Sequence, residues 1–170
     1  TGVYTEQVEF SATSNTSATN TITINGNGNK ITFNATVATA PWTFMLSGTD
    51  WVRVNNLQME SQSLTIGLAC HLWKQADNNI FTGCTMIAPA NTTTSGNTPF
   101  SISGVNNSNT TTSPTVGNNN TLDGCTIRSG GIAIAITGTS AAIPSTNQVV
   151  KNCTILDCNT VGIQTANTTG

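Results

Sequence analysis

Seven carboxylates (Glu6, Glu9, Asp50, Glu60, Asp77, Asp123 and Asp157) and one imidazole, His71, are the side chains with which this 170-residue chain could run acid–base chemistry. Hydrolysing a glycosidic bond takes two carboxyl groups facing across a groove, and eliminating one takes a cation site with a basic residue nearby. Only Asp50 and Asp77 recur at equivalent positions, each seven residues before a repeated anchor, Leu57 or Cys84. Stacked in neighbouring units, they could share a proton or a cation beside Arg53 or Lys74; they could equally cap turns. His71 has no Ser or Cys nucleophile tied to it by spacing and reads as a solvent-facing or turn residue. The tryptophans Trp42, Trp51 and Trp73 could lie against sugar rings or pack into the fold. Asp50, Asp77 and Trp73 are therefore the candidate binding residues. No catalytic residue, metal site or cofactor is assigned.

What must position these residues is a repeat. Asn119-Asn120-Thr121-Leu122-Asp123-Gly124-Cys125-Thr126-Ile127 is written again as Asn78 to Met86 and as Asn147 to Ile155, with a looser copy over Trp51 to Met59. Taking Leu57, Cys84, Cys125 and Cys153 as anchors, an apolar residue stands three before each (Val54, Phe81, Leu122, Val150) and another two after (Met59, Met86, Ile127, Ile155). Apolar positions two apart with Thr between them describe a strand with one buried face. The anchors lie 27, 41 and 28 residues apart, a spacing that signals a solenoid with one stretched interval.

A second apolar element follows each anchor, over 64–67, 100–104, 132–136 and 161–163, and no run has helical spacing. Trp42 to Leu46 is a further strand with Phe44 and Leu46 inward, and residues 70–74 read as a wider turn. Short strands on a fixed period, without a crossover helix, are best satisfied by stacking each strand on its equivalent in the next coil, about 4.8 Å away. Six residues before the anchors, Asn78, Asn119 and Asn147 predict an amide ladder at a turn, because Asn tolerates left-handed backbone angles and its amide can bond the next. Cys84, Cys125 and Cys153 predict a column of small buried thiols, with a Cys153–Cys158 bridge as the alternative.

These features resemble the right-handed parallel β-helix family of pectate-lyase-like and related surface proteins, over roughly residues 20 to 166. The opening Gly2-Val3-Tyr4-Thr5-Glu6 resembles the start of bacterial surface β-helices, with Tyr4, Val8 and Phe10 covering the end of the core. The resemblance implies a right-handed coil and functions ranging from lyases to adhesins.

Charged residues are only 7%, against a typical quarter, while Thr, Asn and Ser make up about two fifths. The five Lys and Arg are scattered, which argues against nucleic acid as a partner. No apolar run reaches membrane-spanning length. Asp123 and Lys151, each two before a Cys, predict an exposed ion pair, whereas Glu60 and Arg128 share a register with a coil between them. Thr85, Thr126 and Thr154 predict an outward row that Gln58 interrupts.

The expectation is an all-β, right-handed parallel β-helix solenoid of about five to six coils. Residues 1–20 form an N-terminal cap leading into the first coil, and residues 21–170 form coils with loop inserts near 91–98 and 106–121. The chain is read as a piece of a longer exported protein, secreted or displayed at the cell surface. Its role is that of a structural or adhesive module of a fibre or adhesin, with surface glycans or other protein chains as partners and end-to-end or lateral self-association. The alternative is a polysaccharide lyase or hydrolase, or a sugar-binding β-helix.

Overall fold

A computed structural model describes residues 1–90, 93–109 and 115–170. Residues 91–92 and 110–114, inside the two expected inserts, lie outside the described residues. The described chain is all-β and every ladder between named strands is parallel. One sheet stacks Val3–Thr5, Lys30–Phe33, Gln58–Ser61, Thr85–Ile87, Thr126–Arg128 and Thr154–Leu156. A second stacks Val8–Ser11, Trp42–Ser47, Gly67–Trp73, Asn97–Ile102, Ile132–Thr137 and Val161–Ala166. The third stacks Ile22–Asn25, Val52–Asn55, Ile80–Thr82, Thr121–Asp123 and Val149–Lys151. Because the chain visits the three sheets in rotation, it is a parallel β-solenoid of about five turns. No helix among the described residues is long and apolar enough to cross a membrane.

The expected register holds. Met59, Met86, Ile127 and Ile155 pair in line in the first sheet, and Val54, Phe81, Leu122 and Val150 in the third. Period-2 burial along these strands sends the apolar residues inward and the polar ones out, which is what fixes the register. Phe10, Phe44, Phe81 and Phe100 run through the core with successive ring centroids 5.7, 6.5 and 5.8 Å apart. The outward row in the first sheet reads Gln58, Thr85, Thr126, Thr154.

Two left-handed residues per coil turn the corners on either side of the third sheet. One set stands six before the anchor, Trp51, Asn78, Asn119 and Asn147, with φ between 52° and 59°. The other stands one before it, Asn56, Gly83, Gly124 and Asn152, with φ between 50° and 63°. Asn and Gly are the residues that reach this region at low cost. At Gly83 a Cβ would also come within 2.6 Å of Asn56 Oδ1.

The structure departs from the sequence reading in the second sheet. Residues 70–74 are not a wide turn: Gly67–Trp73 is a seven-residue strand, and the bend falls at Lys74 and Gln75, both at φ 53°. Leu64 is 72% exposed and precedes that strand instead of starting it. Asn97 and Thr98 belong to a strand, not to a loop. At the N-terminal end, Val8 and Phe10 pack against the core, but Tyr4 is 52% exposed and does not cover it.

Candidate functional site

The corner before the third sheet holds the sequence-predicted carboxylates. Asp50 and Asp77 do stack in adjacent coils, and each is spent on a backbone amide of the next. Asp77 N–H donates to Asp50 Oδ1 at 2.7 Å, and Asn118 N–H donates to Asp77 Oδ1 at 2.7 Å. Asn118 continues the column, its Oδ1 accepting from Thr146 N–H at 2.8 Å and from Thr146 Oγ1 at 3.0 Å. Burial raises the Asp77 carboxyl from 3.8 to about 6; the Asn118 amide opposes this and the Asp50 charge adds to it. Arg53 turns to carbonyls, its Nη1 donating to Asn78 O at 2.8 Å and Val52 O at 3.2 Å, while its guanidinium lies 5.8 Å from the Trp51 ring. Among the described residues no third His, Cys, Asp or Glu joins the two aspartates.

The amide ladder is partly displaced from where the sequence puts it. In the expected column, Asn147 Nδ2 donates to Asn119 Oδ1 at 3.0 Å, but both residues are exposed. The buried ladder is one residue on: Val52 N–H donates to Asn79 Oδ1 at 2.8 Å, Asn79 N–H to Asn120 Oδ1 at 3.0 Å, and Asn120 N–H to Gln148 Oε1 at 3.1 Å. Asn79 is 0% and Asn120 3% exposed. Side-chain carbonyls thus replace the backbone carbonyls that a strand would offer, and the sheet's hydrogen bonding passes through the corner unbroken.

The thiol column forms with Cys84 and Cys125 fully inside and Cys153 half-buried. All five cysteines are free, so Cys153 and Cys158 are not bridged. Contact with Cys84 and burial push the Cys125 thiol above its ordinary range, and burial does the same to Cys70, so these two sulfurs stay protonated; the contact with Cys125 shifts Cys84 the other way. The ion pairs follow the register: Lys151 Nζ lies 3.2 Å from Asp123, whereas Glu60 pairs with Lys30 at 2.8 Å and Arg128 with Asp157 at 3.1 Å.

The outer face of the second sheet carries what the sequence did not reveal. Its central strands are buried on both sides, because segments between the coils fold over them. Trp42, Met45 and Leu68 make a second small core there, with Ala40 and Trp73 against it. His71 is 0% exposed, which corrects the reading of a solvent-facing or turn histidine. Its Nε2 faces the Val105 carbonyl at 2.8 Å and must carry the proton; its Nδ1 then accepts from Ser101 Oγ at 2.7 Å. Burial lowers its pKa to about 4, so it is neutral and structural.

Beside it opens a cavity of about 660 Å³ between the Trp73 bend and residues 104–107. Trp73 Nε1 donates to Gly104 O at 3.2 Å, and Lys74 Nζ sits 4.2 Å from the Trp73 ring centre. Gln75, Asn106, Asn107 and Thr115 line it together with Ala12, Gly48 and Val105, and neither Asp50 nor Asp77 reaches it. The structure therefore separates the three candidate binding residues: the aspartates serve a corner, and Trp73 stands in a cavity elsewhere. The amide residues of the cavity were missed because 75 and 106–107 come from segments outside the repeat, and no spacing links them. Comparison with known protein families, with curated proteins and with solved structures finds no match for this chain.

Proposed function

We propose that this chain is a stiff structural and adhesive module of a secreted or cell-surface bacterial protein, akin to the non-catalytic members of the pectate-lyase-like β-helices. The observation that supports this most is the use made of Asp50 and Asp77. A lyase or hydrolase keeps its carboxylates free to meet substrate, and here each has an oxygen committed to an amide of the next coil. The same commitment extends the corner column through Asn118 to Thr146, so the polar residues favour rigidity over chemistry. Low charge and a surface rich in Thr, Asn and Ser suit a rod that meets its surroundings through side loops.

The test is to incubate the purified chain with uronic-acid and neutral polysaccharides, with calcium and without, while recording backbone hydrogen exchange. The expected outcome is no new reducing ends and no ultraviolet-absorbing unsaturated products, with slow exchange along all three sheets. Turnover that disappears in Asp77→Asn would overturn the reading in favour of the enzyme.

A further inference from the structure

The Trp73 cavity has the parts of a ligand site, built on a rigid element. Trp73 ends the seven-residue strand Gly67–Trp73, and its indole is fixed by the bond to Gly104 O, so an aromatic surface is held in place before any ligand arrives. The next two residues, Lys74 and Gln75, are both left-handed at φ 53°, a conformation that non-glycine residues rarely adopt in succession. Gly48 accommodates this bend: its N–H donates to Trp73 O at 2.8 Å, and a Cβ there would lie 2.9 Å from Lys74 O. Strain of this kind is kept where a surrounding structure insists on it, and here it turns Lys74 and Gln75 to the cavity.

The chemistry of the lining narrows the ligand. Gln75, Asn106 and Asn107 each offer donors and an acceptor, and Thr115 offers a hydroxyl. Sugar hydroxyls are donor and acceptor at once, and the C–H face of a pyranose suits an indole. Among the described residues no carboxylate lines the cavity and its single charge is Lys74, which lies against Trp73. One exposed ammonium already so placed gives an anion little binding energy. A volume of about 660 Å³ is in the range of small-molecule sites.

We propose that this cavity binds a neutral saccharide, with Gln75, Asn106 and Asn107 reading the hydroxyls and a sugar face taking the place of the Lys74 ammonium over the Trp73 ring. This goes beyond the structural reading, since the rod can be stiff with the cavity filled or empty.

The test titrates the intact chain with neutral tetrasaccharides of glucose, mannose, galactose, xylose and N-acetylglucosamine, and with a galacturonate tetrasaccharide, following the backbone amides of Gln75, Asn106 and Asn107 by NMR. The expected result is a saturable shift with at least one neutral probe. Asn106→Ala and Trp73→Ala should each weaken that binding, the latter roughly tenfold or more, whereas Lys74→Gln should change it by less than about threefold. Should Trp73→Ala loosen the outer core, Asn106→Ala still decides, because its residue is not packed in that core. No saturable shift with any neutral probe up to about 10 mM, a concentration that detects even millimolar affinity, overturns the proposal. So does binding of the galacturonate alone, lost in Lys74→Gln. The hydrogen-exchange experiment on the sheets is unaffected by either outcome, so the cavity and the rod stand or fall separately.

Discussion

The first and third sheets bury one face, and the central strands of the second bury two. In Val52–Asn55 and Thr85–Ile87 burial alternates residue by residue; in Trp42–Ser47, Asn97–Ile102 and Ile132–Thr137 every residue is buried. The two arrangements do different work. The single-faced sheets repeat with the coil and hold the register, so their residues recur in columns. The double-faced sheet supports a covering that does not repeat, and the covering brings His71, Trp73 and residues 104–109 together. Rigidity is therefore a property of the repeat, and individuality is a property of what lies over one side of it.

That division can be broken most forcefully by core truncation. Phe81 touches Phe44 and Phe100 edge-on at the centre of the coil, and Phe81→Ala should cost about 3–5 kcal/mol in urea unfolding. Met45, in the outer core, should cost less on truncation, about 2 kcal/mol, and hydrogen exchange should speed only around the covering segments. If Met45→Ala exposes the first sheet as well, the two regions are one cooperative unit and the comparison fails.

Acid titration sharpens it next. His71 is held neutral, with its pKa lowered to about 4, so it contributes stability above its ordinary 6.5 that is lost as pH falls through about 4, by at most about 3 kcal/mol. Asp77 carries the opposite sign. Its raised pKa makes stability complete below 3.8 and lost as pH rises through about 6, by roughly 1 kcal/mol once its partial exposure is discounted. Denaturant midpoints between pH 7 and 4 should therefore fall, turn to a slight rise in His71→Gln, and fall more steeply in Asp77→Asn. A wild-type curve that rises towards pH 4 would mean that the corner, not the covering, governs the response.

The smallest effect compares two neighbouring columns. Asn120→Ala removes a buried acceptor from the Asn79 amide and should cost about 1–3 kcal/mol. Asn119→Gly deletes an exposed amide while keeping the left-handed backbone accessible, and should cost less than about 1 kcal/mol. Equal losses on thermal melting would mean that the exposed column is the one that matters.

The sequence showed what stacking forces to recur. Val54, Phe81, Leu122 and Val150 must lie in one line because each coil lays its apolar residue on the previous one, so columns and coil length were legible. The ladder was displaced by one because the exposed column is Asn in three of four coils, Trp51 being the exception, whereas the buried one runs Val52, Asn79, Asn120, Gln148. Parity held the missing clue: five before the anchor lies on the same face as three before it, where Phe81 and Leu122 are buried. The strand through Cys70, His71 and Leu72 was illegible for a different reason. A strand buried on both faces shows no alternation, and the partners that bury His71 and Trp73 lie some 30 residues on, in a segment with no counterpart in other coils.

The coil-to-coil bonds all lie along one direction, the solenoid axis. Tension applied along that axis loads three sheets and the amide columns between them together, so rupture requires many bonds to fail at once. Tension applied to a single strand at the rim loads its bonds in succession, and the strand peels away. The place where such a module is tethered, more than the number of its bonds, sets the force at which it gives way.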